Sequence, residues 1–289
     1  MSARESSPTA RRRRLGAELR RLRETAGLTS YEASERLGWS SNSKTSRIEN
    51  GRISVAWGDV SDMLDLYGVG PGETHNRLIA LARKSKEKSW WQPFSDLLDK
   101  EYATVIDLET AASQLRIFQA LAIPGLLQTP DYARAIITRS GPLDLDEEEV
   151  ERRVQLRMQR QAILARDGDL GLWVVLDEAA LRRVIGSSQI MHGQLIHLAR
   201  EARQPNVTVQ VIPYDVGPHA SLPGSAGIFS FPQPRDRDVV FVDTLAGTLF
   251  LEREADVRAA TLGFDHLRAS ALSVAESVEM ISAVAESYR

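Results

Sequence analysis

One polar run lies inside otherwise helix-periodic sequence between Leu15 and Val69: Gly38-Trp39-Ser40-Ser41-Asn42-Ser43-Lys44-Thr45-Ser46-Arg47-Ile48-Glu49-Asn50-Gly51. A glycine ends one short helix, serines and an asparagine open the next, an arginine follows one turn further in, and Asn-Gly closes it. These are the needs of a helix whose N-terminal end touches base edges in the major groove of double-stranded DNA.

The flanking sequence supplies helices to hold such an element. Leu15, Leu19, Leu22 and Ala26 share one helix face. Arg14–Glu18 and Arg20–Glu24 are opposite charges four apart on its outer side. Gly27 stops this helix, and Thr29-Ser30-Tyr31-Glu32 reads as a capping box opening a second helix to about Leu37, with Ser34 where a third must cross closely. The third helix is expected from Ser40 or Ser41, with Thr45 and Ile48 inward. Asn42, Ser43, Ser46 and Arg47 then lie on its leading or outer side, and Lys44 joins the contact set. Arg47 suits a bidentate pair with guanine, Asn42 an adenine edge or a phosphate, and Arg52 a backbone phosphate. Val60, Met63, Leu64 and Tyr67 give a fourth helix capped by Ser54. Pro71 opens a fifth, with Leu78, Ile79, Leu81 and Ala82.

Charge divides the chain in the same place. Residues 1–88 hold 17 Lys/Arg against 11 Asp/Glu, a net of +6, and residues 89–289 hold 19 against 28, a net of −9. A basic head on an acidic body is expected when only the head meets a polyanion. At 289 residues the chain has room for two domains, here 1–88 and 89–289, with residues 1–11 read as a flexible tail. It has no cysteine, which excludes disulfides and thiolate chemistry. Met1–Ala10 lacks the apolar run of a signal peptide, and no later stretch has the length of a membrane span, so a cytoplasmic protein is expected.

Beyond Trp90-Trp91-Gln92-Pro93-Phe94 the body begins helical. Tyr102, Val105, Ile106, Ala112 and Leu115 read as a helical stripe through Phe118. Thr129-Pro130-Asp131 starts a helix, and Glu147–Ala165 forms another, with acids in front and arginines behind. The period then changes to that of strands at Leu172–Leu176, Val207–Ile212, Gly227–Phe231, Val239–Val242 and Thr248–Leu251. Asp177 is read as capping a helix to Ile185, another helix carries Met191, Leu195, Leu198 and Ala202, and two helices close the chain, the last behind a Ser273–Glu276 capping box. The fold expected is a mainly α, five-helix N-terminal helix-turn-helix domain followed by an α+β C-terminal domain, its sheet of four or five strands.

The phrases Arg21-Leu22-Arg23-Glu24-Thr25-Ala26-Gly27-Leu28-Thr29 and Ser46-Arg47-Ile48-Glu49-Asn50-Gly51 make the head resemble the Cro/repressor type of helix-turn-helix, the XRE family. Two departures stand out. Gly38 and Ile48 are ten steps apart where that family has nine, and Thr45 replaces its usual Val or Ile. The turn is therefore expected to be one residue longer, leaving open which of Ser41, Asn42 and Ser43 reads bases. Trp90–Phe94, Ile123-Pro124-Gly125-Leu126-Leu127-Gln128-Thr129-Pro130-Asp131-Tyr132-Ala133 and Val207–Pro213 make the body resemble a C-terminal domain of actinobacterial regulators described as antitoxin-like. That resemblance implies a transcriptional regulator acting with a small protein partner encoded nearby.

The chemistry of an enzyme is not evident. His192 and His197 are five apart, on different helix faces. His219 lies in the Gly217–Gly224 loop, and Asp177, Asp215 and Asp243 near strand ends are the one candidate carboxylate cluster. There is no phosphate loop, dinucleotide fingerprint or nucleophile elbow, so neither an enzyme nor a cofactor or metal is expected. The expected function is a DNA-binding regulator acting as a homodimer, with a partner-binding body. The alternative is a small-molecule-responsive regulator, with a ligand between the sheet and the 217–224 loop and Trp173, Phe229 and Phe241 as lining.

Overall fold

The computed structural model describes residues 8–41, 43–85, 89–140, 145–165, 170–220, 224–232, 237–245 and 247–289. The chain divides into two compact units, the first running through Gln92 and the second starting at Pro93.

The first unit, the head, consists of α1 (Pro8–Thr25), α2 (Ser30–Arg36), α3 (Lys44–Glu49), α4 (Trp57–Leu66) and α5 (Glu73–Lys84). Its core joins Leu15, Leu19 and Leu22 of α1 to Ile48 of α3, to Val60, Met63 and Leu64 of α4, and to Leu78 and Ala82 of α5. Each fully buried leucine contributes about 1.5–3 kcal/mol, enough together to hold five short helices that would be marginal alone. Thr29 and Glu32 form the expected capping box. Gly16 lies where α1 meets α3. A Cβ there would sit 2.4 Å from the Glu49 carbonyl oxygen, so the two helices approach only because that position has no side chain.

Three expectations for the head are corrected. The third helix starts at Lys44 with Ser43 as its N-cap, three or four residues later than the serines suggested. The fourth helix has Ala56, not Ser54, at its N-cap, and no side chain caps it. Helix α1 already includes residues 8–11, and the Arg11 guanidinium donates a 2.9 Å hydrogen bond to the Lys84 carbonyl at the end of α5. A cation there satisfies one of the carbonyls that every helix leaves open at its C-terminus.

The body holds α6 (Lys100–Ala111), β1 (Gln114–Gln119), α7 (Pro130–Ser140), α8 (Glu147–Ala165), β2 (Gly171–Asp177), α9 (Ala179–Arg182) and α10 (Ser188–Glu201). These are followed by β3 (Val207–Ile212), β4 (Ala226–Ser230), β5 (Val239–Thr244), β6 (Gly247–Leu251), α11 (Glu254–Ser270) and α12 (Val274–Glu286). The strands form one six-stranded sheet in the order β3-β2-β1-β4-β5-β6. β1, β2 and β3 are parallel neighbours, and β4, β5 and β6 follow antiparallel. Phe264 and Leu267 of α11 pack on Phe118, Val175, Ile212, Ile228 and Val240, which share one face of the sheet. The opposite face carries Phe229 stacked on Phe241 with ring centroids 5.0 Å apart. Gly227 is needed there, since a Cβ would fall 2.2 Å from the Phe241 ring.

The sixth strand is β1. The stripe read as helical through Phe118 ends at Ala111, and Gln114–Gln119 is instead an inner strand of the sheet. Leu115 and Ile117 face one side and Phe118 the other, beside Gln114 and Arg116, so the polar–apolar alternation runs only from Gln114 to Ile117 before Ile117-Phe118 breaks it. The helix after β2 is likewise shorter than expected. It spans Ala179–Arg182 with Glu178 at its N-cap, although Asp177 Oδ1 does accept the Ala179 N–H at 2.7 Å. No helix among the described residues is long and apolar enough to cross a membrane.

Candidate nucleic-acid interface

α2, the 37–43 turn and α3 form the element that the polar run pointed to. Two buried polar contacts fix it. Ser34 and Thr45, both fully buried, share a 2.7 Å hydrogen bond between the hydroxyls of α2 and α3. Arg23 of α1 makes a double hydrogen bond to the Glu49 carboxylate, 2.7 and 3.0 Å, with both side chains less than a tenth exposed. A further Arg23 hydrogen bond goes to the Leu28 carbonyl, so the guanidinium also holds the α1–α2 turn. The bond with Glu49 raises the Arg23 pKa, against the opposing effect of burial. Sequence reasoning missed this bridge. The signal was available: Arg23 is four residues after Leu19, and Glu49 four after Thr45, so both lie on inward faces.

Around this scaffold the expected contact residues are disposed unequally. Arg47 is exposed, and its Nη2 donates to the Ser41 hydroxyl at 3.3 Å. Ser41 is itself 3.0 Å from the Ser43 hydroxyl, so Ser41, Ser43 and Arg47 are brought together at the leading end of α3. Ser46 is half-buried, and its hydroxyl accepts from the Asn50 amide at 3.4 Å. Arg52 is exposed beyond the helix, its backbone N–H bonded to the Arg47 carbonyl. Asn42 lies outside the described residues. Lys44 is turned aside: its ammonium sits 3.9 Å above the Trp39 ring and 3.0 Å from the Asp59 carboxylate of α4. Asp59 therefore belongs to this surface although nothing in the sequence marked it. Tyr31, in the first turn of α2, is more than half exposed.

The body presents different chemistry. Glu109 of α6 and Arg160 of α8 form a buried double hydrogen bond, and Arg160 Nη1 also donates to the Tyr102 hydroxyl at 2.8 Å. Burial opposes ionisation of that phenol, but the Arg160 and Arg157 guanidiniums outweigh it and hold its pKa below the usual tyrosine range. The Ile123–Thr129 segment is fastened by glutamines. Gln194 accepts the Thr129 N–H and donates to the Leu127 carbonyl, each at 2.7 Å. Gln161 donates to the Gly125 and Gln128 carbonyls.

His219 is not an exposed loop histidine. Its side chain is 4% exposed, with Nε2 3.1 Å from Asp177 Oδ2 and the ring edge-on to Phe118. The Asp177, Asp215 and Asp243 cluster does not form. β1 and β4 stand between β2 and β5, which separates Asp177 from Asp243 by about 14 Å at the usual strand spacing. Among the described residues no group of three acidic or histidine side chains is arranged to hold a metal. Trp173, Phe229 and Phe241 cannot line one pocket. Trp173 pairs with Arg116, which pairs with Ile228, so Trp173 shares the Ile228 face, and Phe229 and Phe241 occupy the other. A cleft of about 980 Å³ does open between α7 and α10, bordered by Arg134, Arg139, Ile190 and His192.

The comparisons with known proteins divide the chain in the same way. A helix-turn-helix domain family matches residues 14–78. Domain of unknown function (DUF5753) matches residues 102–283, more than half of the chain. The chain belongs to the DUF5753 family. In this DUF5753 protein the matched region takes in the whole sheet and the glutamine-fastened Ile123–Thr129 segment. No curated protein matches the chain, and no solved structure does. With its helix-turn-helix head, this DUF5753 protein is a DNA-binding regulator in the broad sense.

Proposed function

We propose that this protein is a sequence-specific transcriptional regulator that lays the N-terminal end of α3 in the major groove. The observation that carries this reading is the Arg47–Ser41–Ser43 group, with Arg47 and Ser43 exposed, at the start of a helix whose other side is locked by Ser34–Thr45 and Arg23–Glu49. Rigid presentation of a guanidinium and hydroxyls is what direct base reading needs. Arg47 reads a base edge, Ser41, Ser43 and Ser46 supply neighbouring contacts, and Arg52 binds phosphate. Two copies act on a two-fold operator, their recognition helices about 34 Å apart. The acidic body carries dimerisation and binds a small basic protein partner, in the antitoxin-like manner that the sequence resemblance implies. It performs no catalysis in this reading. A second reading, a small-molecule-responsive regulator, is favoured by the α7–α10 cleft rather than by the sheet.

Selection of operator DNA from a random pool by the full chain, followed by salt-dependent binding of the selected site, tests the first reading. Arg47→Ala should cost about 1–3 kcal/mol and relax preference at one base position. Equal affinity for every sequence in the parent protein would defeat it.

A further inference from the structure

The cleft between α7 and α10 is a built feature of the body. Gly186 has φ +76°, and a Cβ there would fall 2.7 Å from Ile190 Cδ1 and 3.2 Å from Ala135 Cβ, so the loop before α10 approaches both helices only as glycine. Further along α10, Gln194 ties that helix to the Leu127–Thr129 segment leading into α7. The walls are thus joined at two points, and the volume of about 980 Å³ is of the size that takes a small molecule. Its polar groups are not equivalent. Arg134 is already engaged by two carboxylates, Asp131 at 2.7 Å and Glu151 at 2.5 Å. Arg139 is exposed and has no hydrogen-bond or ion-pair partner among the described residues. His192 donates from Nδ1 to the Ala285 carbonyl at 2.9 Å, since a carbonyl oxygen can only accept. In the neutral ring this makes Nε2 a hydrogen-bond acceptor, with no protein partner among the described residues. Ala135, Val184 and Ile190 add apolar wall.

We propose that this cleft binds a small amphipathic carboxylate that also carries a hydroxyl or amide N–H. This rests on the small-molecule-responsive reading above and names its ligand class. The planar guanidinium of Arg139 matches a carboxylate in a two-pronged hydrogen bond. His192 Nε2, an acceptor, takes the ligand's O–H or N–H, and the apolar wall takes its hydrocarbon part. One unpaired guanidinium suits one negative charge. A dianionic phosphate ester would bring a second charge towards Asp131, which lines the same cleft. The body carries a net charge of −9, so its surface offers cations many weak sites. An anion is held only where a cation is left without its own partner, and Arg139 meets that condition inside a cavity.

N-octanoylglycine has all three parts and serves as the probe. Titrated calorimetrically into the full chain, it should bind one to one. Its neutral amide, N-octanoylglycinamide, should bind roughly tenfold more weakly, and N-octanoylsarcosine, which lacks the N–H, several-fold more weakly. Arg139→Gln should weaken the acid roughly tenfold and leave the amide's affinity unchanged, a split that general damage to the fold would not give. Arg258→Gln, an exposed control on α11, should change neither. No saturable binding of the acid, equal binding of acid and amide, or equal binding by the parent and Arg139→Gln overturns the proposal. Tighter binding of octyl phosphate than of the acid overturns the carboxylate assignment. Operator affinity separates the site from the reading it rests on. Binding that Arg139→Gln weakens but that leaves operator affinity unchanged supports the site and removes the small-molecule-responsive reading. An effect of the acid on operator affinity that persists in Arg139→Gln keeps that reading and overturns the site.

Discussion

Ser34 of α2 and Thr45 of α3 answer one another: each is a hydroxyl in the apolar interior of the head, and each is the other's hydrogen-bond partner. The threonine that departs from the usual Val or Ile of the helix-turn-helix pattern is therefore matched by a serine eleven residues earlier. Ser34→Ala or Thr45→Val alone should destabilise the head by about 1–3 kcal/mol, because each removes one end of a buried hydrogen bond. The double variant should regain most of that loss. Denaturation of the four proteins in a double-mutant cycle measures the coupling, and strictly additive losses would refute it.

Asp59 should act as a brake on DNA binding. It neutralises Lys44 at 3.0 Å while Trp39 holds the ammonium from below. Asp59→Asn removes that competitor, so one more cation becomes available to phosphate. Binding should tighten on all sequences alike, and the slope of log affinity against log salt should steepen by about one. An unchanged slope would mean that Lys44 stays against Trp39 when DNA binds.

Gln194 fastens the segment before α7 through two buried hydrogen bonds. Gln194→Ala leaves the Thr129 N–H and the Leu127 carbonyl to find other partners. A loss of about 2–4 kcal/mol in the body's stability is expected, within the range for stranded buried polar groups. Hydrogen exchange across residues 123–130 should rise with it. Protection unchanged in that segment would show that Gln161 alone holds it.

His197 gives the body a pH dependence with a definite sign. Burial lowers its pKa, Glu201 opposes that, and Arg200 adds to it. The unfolded chain takes up the proton near pH 6.5, and the folded one resists it. Stability from this residue is therefore present at neutral pH and is lost as pH falls from about 6.5 through the depressed folded value. His197→Gln should show a smaller drop in urea midpoint between pH 7.5 and 5.5 than the parent. Equal drops would place the acid sensitivity elsewhere.

Much of this architecture was legible because it depends on short-range spacing. The Thr29–Glu32 and Ser273–Glu276 boxes, the Glu147–Ala165 helix and the Val207–Ile212 strand fall where their residues indicate. β1 was not legible because its alternation lasts only four residues before Ile117-Phe118 breaks it, and Ala112-Ser113 is not a usual helix stop. The start of α3 was obscured by a run of serines, several of which suit an N-cap equally well. Asp59 went unseen for a different reason: its role depends on α4 crossing near the start of α3, and no local pattern encodes that crossing. The charged bridge Arg23–Glu49 was visible in the spacing, but charge at an inward position is easily assigned to the surface.

The Arg11–Lys84 hydrogen bond brings together two points 73 residues apart. The chain thus begins its first head helix and finishes its last at the same place. Everything between them is a closed loop of structure whose interior need not change when something pulls at its ends. Both partners of this clasp lie outside residues 14–78, so an excision drawn at the limits of the family match would remove the fastening between the two ends of the head.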